Sequence, residues 1–166
     1  GSIGVGNHKV ITKIGKIPNN CNNISAWMLR QLDESLARLK ISTIDALLLH
    51  DPIQLLSNNG NEIWNTLDSF KVSGKVGKIG FSIYSPEELD LLWNSFRPDI
   101  VQVPFNILDR RINDTGWLSK LKKHNVEIHA RSVFLQGLLL MNNNLRPDKF
   151  NQWNVIWDEF SQWISD

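Results

Sequence analysis

Lys13, His50, Ser82, Gln102 and Arg131 each stand at or near the polar end of a short apolar run. The runs read KVITK, IDALLLH, VGKIGFS, DIVQVPFN and VEIHARS, with Asn106 and Ser132 closing the last two. A Lys, a His and an Arg can hold or move a proton or bind a negative charge. The Ser, Gln and Asn between them can orient a polar ligand by hydrogen bonds. Such groups act together only if the runs are strands lying side by side in one direction, so that their carboxyl ends share a face. Each residue also has a plainer reading: Lys13 as a solvated charge, His50 before Asp51-Pro52 as a turn histidine, Ser82 as a turn cap. Gln102 can satisfy buried backbone groups, and Arg131 can pair with a carboxylate.

The elements between the runs supply that arrangement. Apolar residues after the first run, Trp27, Leu29, Leu32, Leu36 and Leu39, recur every three or four positions. They predict a helix from a Ser25 cap to about Lys40. Ile63, Trp64, Leu67 and Phe70 do the same over Glu62 to Val72. Ser85-Pro86-Glu87-Glu88 reads as a helix start, a capping Ser followed by Pro and then Glu at the third position. Leu89, Leu92 and Phe96 follow it. Trp117, Leu118 and Leu121 mark another helix. Trp153, Ile156, Trp157, Phe160 and Trp163 mark the last, after a polar stretch from Asn142 to Lys149. Strands at Lys9–Ile14, Ile44–Leu49, about Val76–Ser82, Ile100–Val103 and Val126–Ala130 thus alternate with helices, the pattern of parallel βαβ units. The second strand is apolar on both faces apart from Asp45, as in a sheet covered on both sides.

Composition narrows the function classes. The 166 residues are 42% apolar and 21% charged with net charge +1, an ordinary globular balance. Nothing in it points to a nucleic-acid or membrane surface. A lone cysteine, Cys21, builds no internal disulfide and fits a reducing compartment such as the cytoplasm. His8, His124 and His129 have no metal-ligand spacing with each other or with Cys21, so no metal is expected. The seven tryptophans fall mostly in helical segments and are expected to pack. Gly1, Gly4 and Gly6 precede a strand, the wrong side for a phosphate-cradling turn, and read as a loose loop. Lys13 is followed by IGKIPNN, so the glycine-rich turn of a doubly wound dinucleotide fold is absent too.

LLLHDP, SGKVGKIGFSIYSPEEL, DIVQVPFN and ARSVFLQGLL, in that order, resemble the aldo-keto reductase family. They are most similar to its polysaccharide-biosynthesis-associated branch. The resemblance runs from about Val10 to the last helix. It implies a (β/α)8 TIM barrel, an α/β fold, of which this chain matches the third to seventh strand-helix units. On that reading residues 1–166 form a single domain, the central portion of the barrel. It also implies NADP or NAD as cofactor and a small carbonyl substrate, sugar-related by the branch. By motif match Lys13 and His50 stand at the Lys and His of the family's Tyr-Lys-Asp-His tetrad. Ser82 and Gln102 stand where the nicotinamide carboxamide is held. Arg131, with Ser132 beside it, stands where many members stack a Tyr on the nicotinamide, and Asn106 is a substrate-side position in the loop beyond Gln102. Ile83 replaces an Asn that commonly contacts the carboxamide.

The tetrad chemistry is general acid catalysis: a Tyr of ordinary pKa about 10 protonates the developing alkoxide, helped by the Lys. In the family the Tyr and Asp lie ahead of the region matching Lys13. The sole tyrosine, Tyr84, does not match the acid by position. The resemblance therefore leads us to expect a fragment of a reductase, inactive alone, with exposed strand edges through which it self-associates. Two other expectations stand beside it. One is a non-catalytic, aldo-keto-reductase-like binding or regulatory subunit; the other is an open-sheet binding domain complete as it stands.

Overall fold

The computed structural model describes residue 6 and residues 8–165. They fall into two compact units, divided between Arg131 and Ser132. The first unit runs β1 (Ile11–Ile14), α1 (Ile24–Leu39), β2 (Ile44–Leu49), a 3-10 turn (Pro52–Leu56) and α2 (Gly60–Val72). It continues through β3 (Val76–Ser82), α3 (Glu87–Leu92), β4 (Ile100–Pro104), α4 (Arg111–Asp114), α5 (Trp117–Lys123) and β5 (Glu127–Arg131). All five strands pair in parallel, in the straight order β1-β2-β3-β4-β5. A doubly wound sheet reverses its strand order at a switch point. Straight succession is instead the strand order of a barrel.

Packing gives the same answer. Buried residues from every helix of this unit, including Met28, Leu32, Leu67, Leu89, Ile112 and Leu121, join one core with Leu47, Leu49, Ile79, Phe81, Val101 and Val103. The helices therefore cover a single face of the sheet. The other face holds a small separate cluster of Ala46, Leu48 and Ile100, with Ile11 against it. Each strand points alternate side chains to each face, and the second face is the interior one of a barrel. Gly80 lies on it at the centre of the sheet. A Cβ there would stand 1.7 Å from the Ile100 carbonyl oxygen, so only glycine permits the close approach of β3 and β4.

Local chemistry explains the elements and corrects several expectations. Asn23, not Ser25, caps α1, its side-chain oxygen accepting from the Ala26 N–H at 2.9 Å. The Ser25 hydroxyl instead shares a 2.7 Å hydrogen bond with Thr66 of α2. The buried stripe of α1 is Ile24, Met28, Leu32 and Leu36, while Leu29 is exposed. Lys40, at φ +57, closes that helix, with the Ile41 N–H donating back to the Leu36 carbonyl at 3.1 Å. At α3 the Glu88 carboxylate reaches back to the Tyr84 and Ser85 N–H groups at 2.7 and 3.1 Å. That is the Glu half of the expected capping box, and the Ser85 side chain meets Glu87. Asp45, the one acid in β2, accepts from the Val10 N–H at 2.6 Å and ties the start of β1 to its neighbour.

The second unit has 3-10 turns at Leu135–Leu140, Asn143–Leu145 and Asp148–Trp153, then α6 (Asn154–Ser165). Leu138, Leu139 and Trp157 form its core, with Leu135, Phe150 and Phe160 against it. The expected apolar stripe of the last helix is only partly buried: Trp157 is buried, but Trp153, Ile156 and Trp163 are exposed. Elsewhere the tryptophans pack as expected, Trp93 and Trp117 buried edge-on at 5.3 Å and Trp64 against Phe81 at 5.5 Å. Gly1 and Gly4 of the expected N-terminal loop lie outside the described residues. Among the described residues no helix is long and apolar enough to cross a membrane.

Candidate active site

Strand register brings the expected residues to one rim. Lys13 pairs with Leu48, two residues before His50, and Ser82 pairs with Gln102, which pairs with His129, two residues before Arg131. All five positions therefore fall on the interior face at the carboxyl ends of adjacent strands. Two further bonds hold the loops behind them. The His50 N–H donates to the Ile14 carbonyl at 2.9 Å. The Gln54 side-chain amide makes a reciprocal pair with the Ile17 backbone at 2.8 and 2.9 Å. The loop after Lys13 is thus fastened to the turn after His50.

Ser82 is the centre of the rim. It is 2% exposed, and its hydroxyl accepts from the Lys13 ammonium at 2.9 Å and donates to the Gln102 side-chain oxygen at a longer 3.5 Å. From the opposite edge of the sheet, Arg131 donates to the Ile83 carbonyl at 3.0 Å. Burial, and after it the Arg131 charge, hold the Lys13 ammonium below its ordinary lysine pKa. The Nε of Arg131 is buried without a hydrogen-bond partner among the described residues. An unmet donor of this kind carries a cost of about 1–3 kcal/mol, which the fold tolerates here.

Tyr84 enters this rim without having been expected there. The Arg131 guanidinium lies 4.6 Å from its ring centroid, and the His50 ring centroid lies 6.2 Å from it. Its backbone is held at both ends, the N–H by Glu88 and the carbonyl by Arg111 at 3.3 Å. The signal in the sequence was slight: Tyr84 lies two residues beyond Ser82, in the same strand-to-helix loop. Asn106, expected on the substrate side, lies in the loop after β4. It is buried, and its side-chain oxygen accepts from the Leu108 and Asp109 N–H groups at 2.9 and 2.8 Å, so that acceptor builds the loop after β4. Ser132 opens the second unit at φ +55, its carbonyl accepting from the Leu135 N–H at 3.0 Å.

The same face carries a second polar group at the amino ends of the strands. Glu127 pairs with Lys78 and, at 2.6 Å, with the His129 ring. These side chains, with Lys9, Ile11 and Ala46, line a hollow of about 460 Å³. It is the wrong end for barrel chemistry, which gathers at the carboxyl ends.

The model of the Aldo/keto reductase family matches this chain over residues 6–163. This chain belongs to the Aldo/keto reductase family. Its fold is accordingly of the (β/α)8-barrel type, here an open run of five parallel strands. Over 118 residues it is 30% identical to an L-glyceraldehyde 3-phosphate reductase of Escherichia coli O157:H7, 68% of this chain and 34% of that one. Among solved structures it resembles the glycerol dehydrogenase of Gluconobacter oxydans, with TM-score 0.62, 26% identity, and 85% and 46% of the two chains covered. An aldo/keto reductase of Klebsiella pneumoniae, solved with NADP and acetate, shares the fold at TM-score 0.60 and 23% identity, covering 88% of this chain and 50% of that one. The chain thus spans half or less of the length of these relatives.

The donor set at the rim fits a nicotinamide cofactor. A carboxamide offers one acceptor and two donors, and Gln102 together with Ser82 offers both kinds of partner side by side. Arg131 adds a planar cation at the edge of the same group.

Proposed function

We propose that this chain is the part of an NAD(P)H-dependent carbonyl reductase that holds the nicotinamide and two groups of the catalytic set. The observation that carries this reading is the hydrogen-bonded series Lys13–Ser82–Gln102, on the carboxyl ends of three parallel strands. When bound, the cofactor supplies a hydride to the carbonyl carbon. This chain's residues do the rest of the work available to them. Ser82 and Gln102 hold the carboxamide and fix which face of the ring is presented. Lys13 places a positive charge where negative charge develops, and so eases proton delivery from an acid beside it to the carbonyl oxygen. His50 donates a hydrogen bond to that oxygen and sets its orientation. Arg131 and Tyr84 close the side of the site nearest β5.

The substrate is a small polyhydroxylated carbonyl compound. Its support is the polar, cationic character of the rim, together with the names of two relatives, a glyceraldehyde-phosphate reductase and a glycerol dehydrogenase. Titration of the chain with NADPH and NADH, followed by tryptophan fluorescence, tests the cofactor reading. Saturable binding that Ser82→Ala weakens about 10-fold is the expected result. Binding unaffected in Ser82→Ala and in Gln102→Ala would show that the rim does not hold the cofactor. For the activity, Lys13→Met in the natural gene product is expected to lower carbonyl reduction by about 10²-fold or more.

A further inference from the structure

Side chains from three elements hold the loop after β3. The strand ends at Ser82, yet each backbone N–H and carbonyl from Ile83 to Ser85 has a partner. The Ile83 N–H donates to the Gln102 carbonyl at 2.9 Å, and the Glu88 carboxylate takes the Tyr84 and Ser85 N–H groups. The next two carbonyls go to two arginines. Ile83 accepts from Arg131 of β5 at 3.0 Å, and Tyr84 from Arg111 of α4 at 3.3 Å. Asp109 serves both. Its carboxylate accepts from Arg111 Nε and Nη2 at 2.9 and 2.8 Å, a two-point contact that fixes the plane of the guanidinium. Arg111 chiefly, with the Arg131 charge adding to it against the cost of burial, holds the Asp109 carboxyl below its ordinary 3.8. Asp109 is presented in turn by the loop that Asn106 closes, its carbonyl accepting from the Asn106 N–H at 3.1 Å.

Resting on the reading of Ser82 and Gln102 as the carboxamide anchor, we propose that Arg111, set in place by Asp109, is a positioning residue for the cofactor: it braces the loop after β3 so that the Ser82 hydroxyl meets the carboxamide in one geometry. A strand-to-helix loop is ordinarily among the more mobile parts of a fold. Ser82 stands where β3 passes into this loop, so movement of the loop moves its hydroxyl. The brace runs from the loop after β4, the strand of Gln102, to the loop after β3, and so ties together the two partners of the carboxamide. Their own side-chain contact, at 3.5 Å, is too long to fix the spacing. Fixing it beforehand removes an ordering cost from binding. The Arg111–Asp109 pair is 54% and 21% exposed, and a pair so exposed adds little to stability. Its effect therefore falls on the placement of Ser82 more than on the fold.

NADPH titration followed by tryptophan fluorescence, run as a cycle on the unaltered chain, Arg111→Met, Ser82→Ala and the double variant, tests this. Arg111→Met is expected to weaken NADPH about 5-fold while moving the urea midpoint little. In the Ser82→Ala background the same change should weaken it less than about 2-fold, because the group it positions is gone. Asp109→Asn should behave as Arg111→Met does, and Asp109→Glu, which keeps the charge and both acceptor oxygens, should recover most of the affinity. An equal loss in both backgrounds would mean that Arg111 acts through its charge or the fold, not through Ser82, and would overturn the inference. So would an unchanged affinity in Arg111→Met where Ser82→Ala still weakens binding, an outcome that leaves the cofactor reading intact. Should Arg111→Met fail to fold, Asp109→Asn in the same cycle decides by the same comparison. Absence of NADPH binding by the unaltered chain would overturn both.

Discussion

β3 and β5 carry polar residues at both ends of one sheet face, and the two ends are built on opposite principles. At the amino end Lys78, Glu127 and His129 form a charge-compensated group open to solvent, each side chain about a third or more exposed. At the carboxyl end, four residues further along each strand, Ser82 is buried and its neighbours Lys13 and Arg131 are cations bonded to neutral oxygens. A compensated network leaves little for a ligand to gain. Cations held by a hydroxyl and a carbonyl keep most of their attraction for an incoming electron-rich or negatively charged atom. One pair of strands therefore separates a charge-compensated end from an end whose cations meet neutral oxygens, and the latter is the end to which the barrel rule assigns chemistry.

The largest effect is expected where the two ends meet. Gly80→Ala drives a methyl group to within 1.7 Å of the Ile100 carbonyl and forces β3 and β4 apart, a cost of about 3 kcal/mol or more. Urea denaturation measures it; an unchanged midpoint would mean the two strands can separate freely and the ends are not mechanically joined. Ser82→Ala comes next, at about 1–2 kcal/mol, because it takes from Lys13 its hydrogen-bond acceptor. Glu127→Gln should cost less, about 0.5 kcal/mol and salt-dependent, and leave NADPH affinity alone. A Glu127→Gln variant less stable than Ser82→Ala, or one that binds nucleotide differently, would break the distinction drawn between the ends.

The smallest expected effect is on pH dependence, and the two ends should show it at opposite sides of the scale. The folded Lys13 pKa is lowered from 10.5 by burial and then by Arg131. Between the folded and unfolded values the unfolded chain binds more protons, so stability from this group rises with pH across that window. Lys13→Met should remove the rise. Glu127 is held below its ordinary 4.5 by Lys78 first and His129 second, so its contribution is present above 4.5 and lost as pH falls through the folded value. Glu127→Gln should flatten that acid limb. Midpoints of thermal unfolding across pH measure both, and a matching pH response in the two variants would remove the contrast.

Much of the rim was legible beforehand because these strands are mostly apolar and close on a polar residue. Lys13, His50, Ser82 and Arg131 stood out as polar side chains at or near the ends of those runs, and their direction follows from strand periodicity. Tyr84 was not legible as part of the site. Its neighbours His50 and Arg131 lie 34 and 47 positions away in the chain, on strands whose ends meet only in the folded sheet. The Lys78–Glu127–His129 group was missed for the same reason, since the Lys comes from β3 and the acid from β5. At α1 both Asn23 and Ser25 can cap a helix, and the choice fell to Asn23 while Thr66 engaged the Ser25 hydroxyl. The last helix showed the reverse failure: helical spacing of Trp153, Ile156 and Trp163 predicted a buried stripe, but periodicity says nothing of whether a partner covers it.

The sequence by itself determined the strand-helix alternation, the polar residues that close each strand, and the family, because these depend on local periodicity and on motif order. Only the tertiary structure decided that the strands run in straight succession, that Lys13 bonds to Ser82, and that Arg131 lies over Tyr84. Those are contacts between residues tens of positions apart, and their geometry is set by strand register and by the close approach of backbones that Gly80 allows.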